Sequence, residues 1–137
     1  MEEKITIVVF SGTIDRLMGM SILTNAAVAM DYEVDIFLML WGTYAFKKDV
    51  IGVDQTISEH LDYTGEKFLE VMKTGGIAPW QEMLKNAKET EMVRVHVCSA
   101  AGKAWESQVE DLEFVDDFVG AGEIVICSTE SKTTYFI

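Results

Sequence analysis

The run Ile5-Thr6-Ile7-Val8-Val9-Phe10 is almost wholly apolar and β-branched, and it stops at the turn signal Ser11-Gly12-Thr13. Such a run fits a strand covered on both faces, as in a parallel sheet. The spacing then predicts a helix over Thr13–Met30, with Ser11 or Thr13 as cap and Asp15 in the first turn. Leu17, Met18, Met20, Ile22, Leu23 and Ala26 wrap most of its circumference, so it must pack on more than one side. A second strand is predicted over Glu33–Leu40, ending at Trp41-Gly42-Thr43. Together these form a βαβ unit with a right-handed crossover.

The pattern is weakest over residues 44–76, where short helices are expected over Tyr44–Val50 and Ile57–Lys73. Gly75-Gly76 and Pro79 then break the chain before an amphipathic helix over Trp80–Glu89. Val93–Cys98 is predicted as the third strand, with Val93, Val95 and Val97 facing one way and Arg94, His96 and Cys98 the other. A short helix is expected over Ala100–Gln108 and a short strand within Leu112–Val119. Ala121–Thr129 reads as a helix, although Glu123–Cys127 alone also fits a strand, and Thr133–Ile137 closes the chain as a strand. This alternation predicts one α/β domain over residues 1–137, a three-layer sandwich on a mainly parallel sheet of about five strands.

Composition narrows the partners. The formal net charge is -12, which disfavours nucleic acid and anionic membrane surfaces; it is compatible with a basic protein partner, while a merely solvated acidic surface is the commoner meaning of such a charge. The longest charge-free stretch, Leu17–Met30, is too short and too polar to cross a bilayer. The start Met1-Glu2-Glu3-Lys4 has no secretory pattern, so the cytoplasm is expected. There, Cys98 and Cys127 should both be free thiols.

Ligands of open parallel sheets bind beyond the carboxyl ends of the strands. Ser11-Gly12-Thr13, Trp41-Gly42-Thr43 and Cys98-Ser99 fall there, so Ser11, Gly12, Thr13, Trp41, Gly42 and Ser99 are candidate pocket residues. Cys98 is the candidate reactive residue, because it ends a strand just before a helix, a position that stabilises a thiolate. The bland alternative is a buried, inert Cys98. His96 and Lys103 are candidate charge partners for it, although a satisfied core histidine is the commoner role for His96. Cys127 reads as core packing. His60 lacks a companion at metal-ligand spacing, so no metal site is expected, and neither a Walker loop nor a dinucleotide-binding glycine pattern occurs.

Three features resemble one family in order and spacing. They are Phe37-Leu38-Met39-Leu40-Trp41-Gly42-Thr43 with Phe46-Lys47-Lys48-Asp49, then Val95-His96-Val97-Cys98-Ser99, and finally Val119-Gly120-Ala121 leading to Thr133–Ile137. The chain resembles the DsrE/DsrF-like proteins, especially their DsrE2/DsrE3 branch. The resemblance implies a flavodoxin-like sandwich and a homo-oligomer, and no cofactor is expected. It also implies that Cys98 accepts sulfane sulfur, as a persulfide or thiosulfonate, and yields it to a partner such as a TusA-like sulfur carrier. Ala100 and Ala101 stand where that branch often has methionines, and an acidic segment over residues 49–76 replaces its Met-, Gly- and Lys-rich insert. The competing expectation is an oligomeric module that binds a small anion or a protein without covalent chemistry at Cys98.

Overall fold

A computed structural model describes residues 3–54, 56–57 and 64–137. Residues 58–63, with His60, lie outside the described residues; of the helix expected over Ile57–Lys73, Ile57 is not helical and the part from Thr64 onward is. The strands are β1 (Lys4–Val9), β2 (Glu33–Leu38), β3 (Val93–Cys98), β4 (Asp117–Val119) and β5 (Thr133–Phe136). They form a single sheet in the order β4, β3, β2, β1, β5, with every pair parallel. The helices are α1 (Ile14–Ala29), α2 (Leu40–Ala45), α3 (Thr64–Thr74), α4 (Trp80–Lys88), α5 (Ser99–Ala104) and α6 (Ala121–Glu130). The α/β class and the parallel five-stranded sheet expected from the pattern are both observed.

Four local readings change. The strand predicted to Leu40 ends at Leu38, because the chain turns at Met39 and Leu40 into α2. Trp41-Gly42-Thr43 therefore lies inside a helix and does not form a turn. The helix expected up to Gln108 stops at Ala104, and a 3-10 turn follows at Val109–Asp111. The short helix expected over Tyr44–Val50 lies earlier, at Leu40–Ala45, and residues 46–50 form turns and a bridge. The helix expected over Ala121–Thr129 is observed as α6, which carries the chain from the β4 edge to β5 at the opposite edge.

Alternation along the strands makes two unlike faces. Ile7, Val9, Ile36, Leu38, Val95 and Val97 point to one face and expose no surface. Helices α1 and α4 pack there side by side, burying Leu17, Met20 and Leu84 against the sheet. Buried Ser21 donates from Oγ to the Trp80 carbonyl at 2.9 Å, and Asn25 donates from Nδ2 to the Met83 carbonyl at 3.0 Å. Helix α4 thus supplies the second cover that the apolar circumference of α1 requires, leaving Ile22 and Met30 exposed. Helix α1 ends in a turn closed by Asp31 N–H to Val28 and Tyr32 N–H to Ala27, with Asp31 at φ 64°. After α4, Glu91 takes a similar left-handed backbone, at φ 63°.

The opposite face carries a smaller cluster formed by Val8, Phe37, Cys98, Ala101, Ile124 and Cys127. Polar side chains share it: Thr6, Asp35 and His96 stand on the same strand faces as Val8, Phe37 and Cys98. Buried Thr6 meets Ser131 at 2.6 Å between hydroxyl oxygens, which ties β1 to the end of α6.

Candidate functional site

The carboxyl ends of β1 and β2 converge through two glycines. A Cβ at Gly12 would stand 2.5 Å from the Trp41 carbonyl oxygen, and one at Gly42 would stand 2.2 Å from that of Val9. Only side-chain-free residues let these two strand exits touch, and Gly42 N–H donates to the Phe10 carbonyl across the junction at 2.9 Å. Beside the junction opens a cavity of about 610 Å3. Ser11, Gly12 and Thr13 line it, with Phe10 and Phe136 at one side and Trp41 and Tyr44 also in the wall. The Phe10 and Phe136 rings stack with centroids 6.1 Å apart, and Trp41 and Tyr44 meet edge to face at 6.0 Å. Trp105 braces the second pair, 5.0 Å from Trp41 and 4.8 Å from Tyr44, and donates its indole N–H to the Leu40 carbonyl at 2.7 Å. Arg16, exposed on the first turn of α1, also borders the cavity, as does Asp54. Asp54 is tied to Thr56 in the same lining, its Oδ1 accepting from both the backbone N–H and the hydroxyl of Thr56.

Cys98 closes β3 and is the residue from which α5 departs. It is 6% exposed, points into the small cluster with Phe37 and Ile124, and does not line the large cavity. Neither His96 nor exposed Lys103 makes a hydrogen bond or ion pair with it among the described residues. Ser99 donates its hydroxyl to the Val119 carbonyl at 3.0 Å, which pins the start of α5 to β4.

His96 belongs instead to an ionic network on the sheet face. Its Nε2–H donates to Asp35 Oδ1 at 2.8 Å and its Nδ1–H donates to Asp117. The Phe37 ring stacks on the imidazole with centroids 4.7 Å apart. Burial works against the charged imidazole, but the hydrogen bonds to Asp35 and Asp117 prevail and raise its pKa above the ordinary 6.5. Burial likewise opposes ionised Asp35, yet the His96 hydrogen bond and charge hold its carboxyl below the ordinary 3.8. Lys4 lies 3.9 Å from Asp35 and donates to Cys127 Sγ at 3.5 Å. Burial, with Asp35 nearby, pushes the Cys127 thiol up and keeps it protonated.

Of the sequence-predicted residues, Ser11, Gly12, Thr13 and Trp41 come together around the cavity, and Gly42 supports it from behind. Cys98, Ser99 and His96 lie along β3 and its end, with their side chains outside that lining. Tyr44, Arg16 and Phe136 were not singled out from sequence. The signal for Phe136 was available, because a parallel C-terminal strand brings its last residues to the same edge as Phe10. Among the described residues no helix is long and apolar enough to cross a membrane, and no cluster of three metal-ligating side chains forms.

Comparison with known proteins agrees with the resemblance read in the sequence. The model of the DsrE/DsrF/DrsH-like family matches residues 1–59. The uncharacterized protein YrkE of Bacillus subtilis (strain 168) is 24% identical over 156 aligned residues, covering 98% of this chain and 97% of that one. Among solved structures, MTH1491 of Methanobacterium thermoautotrophicum, a protein of unknown function, superposes with a TM-score of 0.62 at 16% identity, over 99% of this chain and 100% of that one. The ychN protein of E. coli superposes with a TM-score of 0.59 at 16% identity, over 98% of this chain and 99% of that one. These two structures share the fold.

Proposed function

We propose that this DsrE/DsrF-like chain handles sulfur and that Cys98 is the residue that carries it. The observation that carries the reading is the position of Cys98 as the last residue of β3, at the strand edge where parallel sheets present their ligands. In the proposed step the Cys98 thiolate attacks the outer sulfur of a donor persulfide. A new S–S bond forms on Cys98, the donor S–S bond breaks, and the donor leaves as a thiolate with the electron pair. An acceptor thiolate, on a TusA-like protein or another basic partner, then removes that sulfur and restores Cys98. No external oxidant or reductant is consumed. Burial of Cys98 shields the loaded sulfur from stray thiols, so loading requires local opening of the small cluster around it. Intact mass spectrometry after polysulfide treatment tests the step. A gain of one sulfur atom that disappears in Cys98→Ser supports it. No adduct, or one that survives the substitution, rejects it.

The chain is proposed to act as a homo-oligomer. Ile22 of α1 and Met30 just beyond it on one face, and Val125 and Ile126 of α6 on the other, are exposed, and either apolar set suits contact with a second copy. Light scattering should give a mass that is a multiple of 15.3 kDa.

A second reading, non-covalent binding with a structural Cys98, draws on the cavity, which Cys98 does not line. It predicts slow alkylation of Cys98 at neutral pH, and ligand binding that Cys98→Ala leaves unchanged.

A further inference from the structure

We propose that the cavity beside Gly12 is a binding site for a small planar molecule that carries an anionic group, stacked between aromatic side chains and held at its charge by Arg16. The site is separate from Cys98 and goes beyond the sulfur reading.

Its volume of about 610 Å3 suits a ligand of nucleotide size or smaller. The aromatic content is what sets it apart from an ordinary surface cleft. Phe10, Trp41 and Phe136 are 38%, 54% and 70% exposed, so three large rings are left facing water around one opening. Aromatic rings in that position give up solvent favourably to a flat, polarisable surface. The rings are also held in place. Trp105 fixes Trp41 and Tyr44 through ring contacts and its bond to Leu40, and Phe136 is anchored by pairing with Val8. A braced wall loses little conformational freedom on binding.

The charge argument is independent of the rings. The chain has a net charge of -12, yet the cation at this cavity makes no ion pair among the described residues. The acid beside it, Asp54, has Oδ1 engaged by Thr56. Arg16 therefore presents a forked donor that a carboxylate or a phosphate monoester fits equally well. Ser11 and Thr13, whose hydroxyl oxygens lie 3.1 Å apart in the same lining, add donors at the floor. A ring alone leaves Arg16 unused, and an inorganic anion alone leaves the aromatic wall unused, so both parts are needed in one molecule.

Isothermal titration calorimetry on the full chain tests this with indoleacetate and adenosine monophosphate as the two anionic probes. Indole, adenosine and inorganic phosphate are the controls. One of the anionic probes should bind with a Kd below about 1 mM and at least about tenfold more tightly than its uncharged counterpart or phosphate. Preference for indoleacetate assigns a carboxylate ligand, and preference for adenosine monophosphate a phosphate monoester. Arg16→Gln and Trp41→Ala, both exposed positions, should each weaken that probe at least about fivefold while the far-UV circular dichroism of the folded chain stays unchanged, with melting also unchanged in Arg16→Gln. Cys98→Ser should leave its affinity intact, so loss of sulfur loading and loss of this site are scored separately. Failure of both anionic probes to bind, equal binding of the neutral rings, or full affinity in Arg16→Gln would each overturn the proposal.

Discussion

The two faces of the sheet solve different problems with the same strands. On the face under α1 and α4, residues from three adjacent strands are fully enclosed and apolar. On the other face, the same three strands put forward Thr6, Asp35 and His96 between Val8, Phe37 and Cys98, under the crossing helix α6 and the short helix α5. The first face is a store of stability. The second trades part of that store for ionisable groups and two thiols. The difference shows that a strand buried on both sides need not be symmetric, because each face answers to its own layer.

Truncation should expose the asymmetry most strongly. Leu84→Ala, at a fully buried site on the dense face, should cost about 3–4 kcal/mol in urea denaturation. Ile124→Ala, on the thin face, should cost about 2 kcal/mol, because the site has more room to collapse. Equal losses would mean that the two faces are packed alike.

Next in size is the ionic network. His96→Leu leaves the Asp35 carboxylate, whose side chain is only 17% exposed, without its main partner and should cost about 2 kcal/mol. Adding Asp35→Leu should recover most of that loss, because no stranded charge remains. A double variant as unstable as the single one would show that the pair contributes more than mutual satisfaction.

The pH profile sharpens the same contrast with a smaller effect. The raised pKa of His96 makes its contribution full below pH 6.5, and that contribution fades as pH climbs through the higher folded value. Asp35, held low, contributes above pH 3.8 and loses its contribution as pH drops through the lower folded value. Tm should therefore decline on the alkaline side in the native chain, and His96→Phe should flatten that decline. An unchanged alkaline slope in the variant would assign the decline to other groups.

The smallest effect on the folded chain should come from Val125→Glu with Ile126→Glu, on the outer side of α6. Both positions are more than half exposed, so the variant should stay within about 0.5 kcal/mol of the parent. If the thin face meets a second copy, its mass by light scattering should nevertheless fall toward 15.3 kDa.

The dense face was easy to read from sequence and the thin one was not. Val93–Cys98 declared its bounds and its two sides because alternation is a local signal, and observed β3 has the same limits. The pairing of His96 with Asp35 spans 61 positions and depends on the register between β2 and β3, which no local window contains. Helix α2 was hidden because Leu40 and Trp41 continue the apolar run of β2, and the turn between them rests on Leu40 at φ 40°. At the candidate site the hydroxyl and glycine positions were legible as a turn after β1. Phe136 and Tyr44 reach the cavity only through the sheet order and the short helix, so those two rings of the wall, unlike Trp41, were not.

Asp31 and Glu91 hold left-handed backbone at φ 64° and 63°, just after the two helices of the dense face. A side chain there costs about 1 kcal/mol that glycine avoids, and an acid also sits poorly at the negative end of a helix. The fold therefore keeps a reserve that two substitutions to glycine would release without touching either face. A lineage or an engineer could draw on that reserve to tolerate new, destabilising side chains around Cys98 or the aromatic cavity, which makes the quiet ends of α1 and α4 a source of evolvability for the chemistry at the opposite edge.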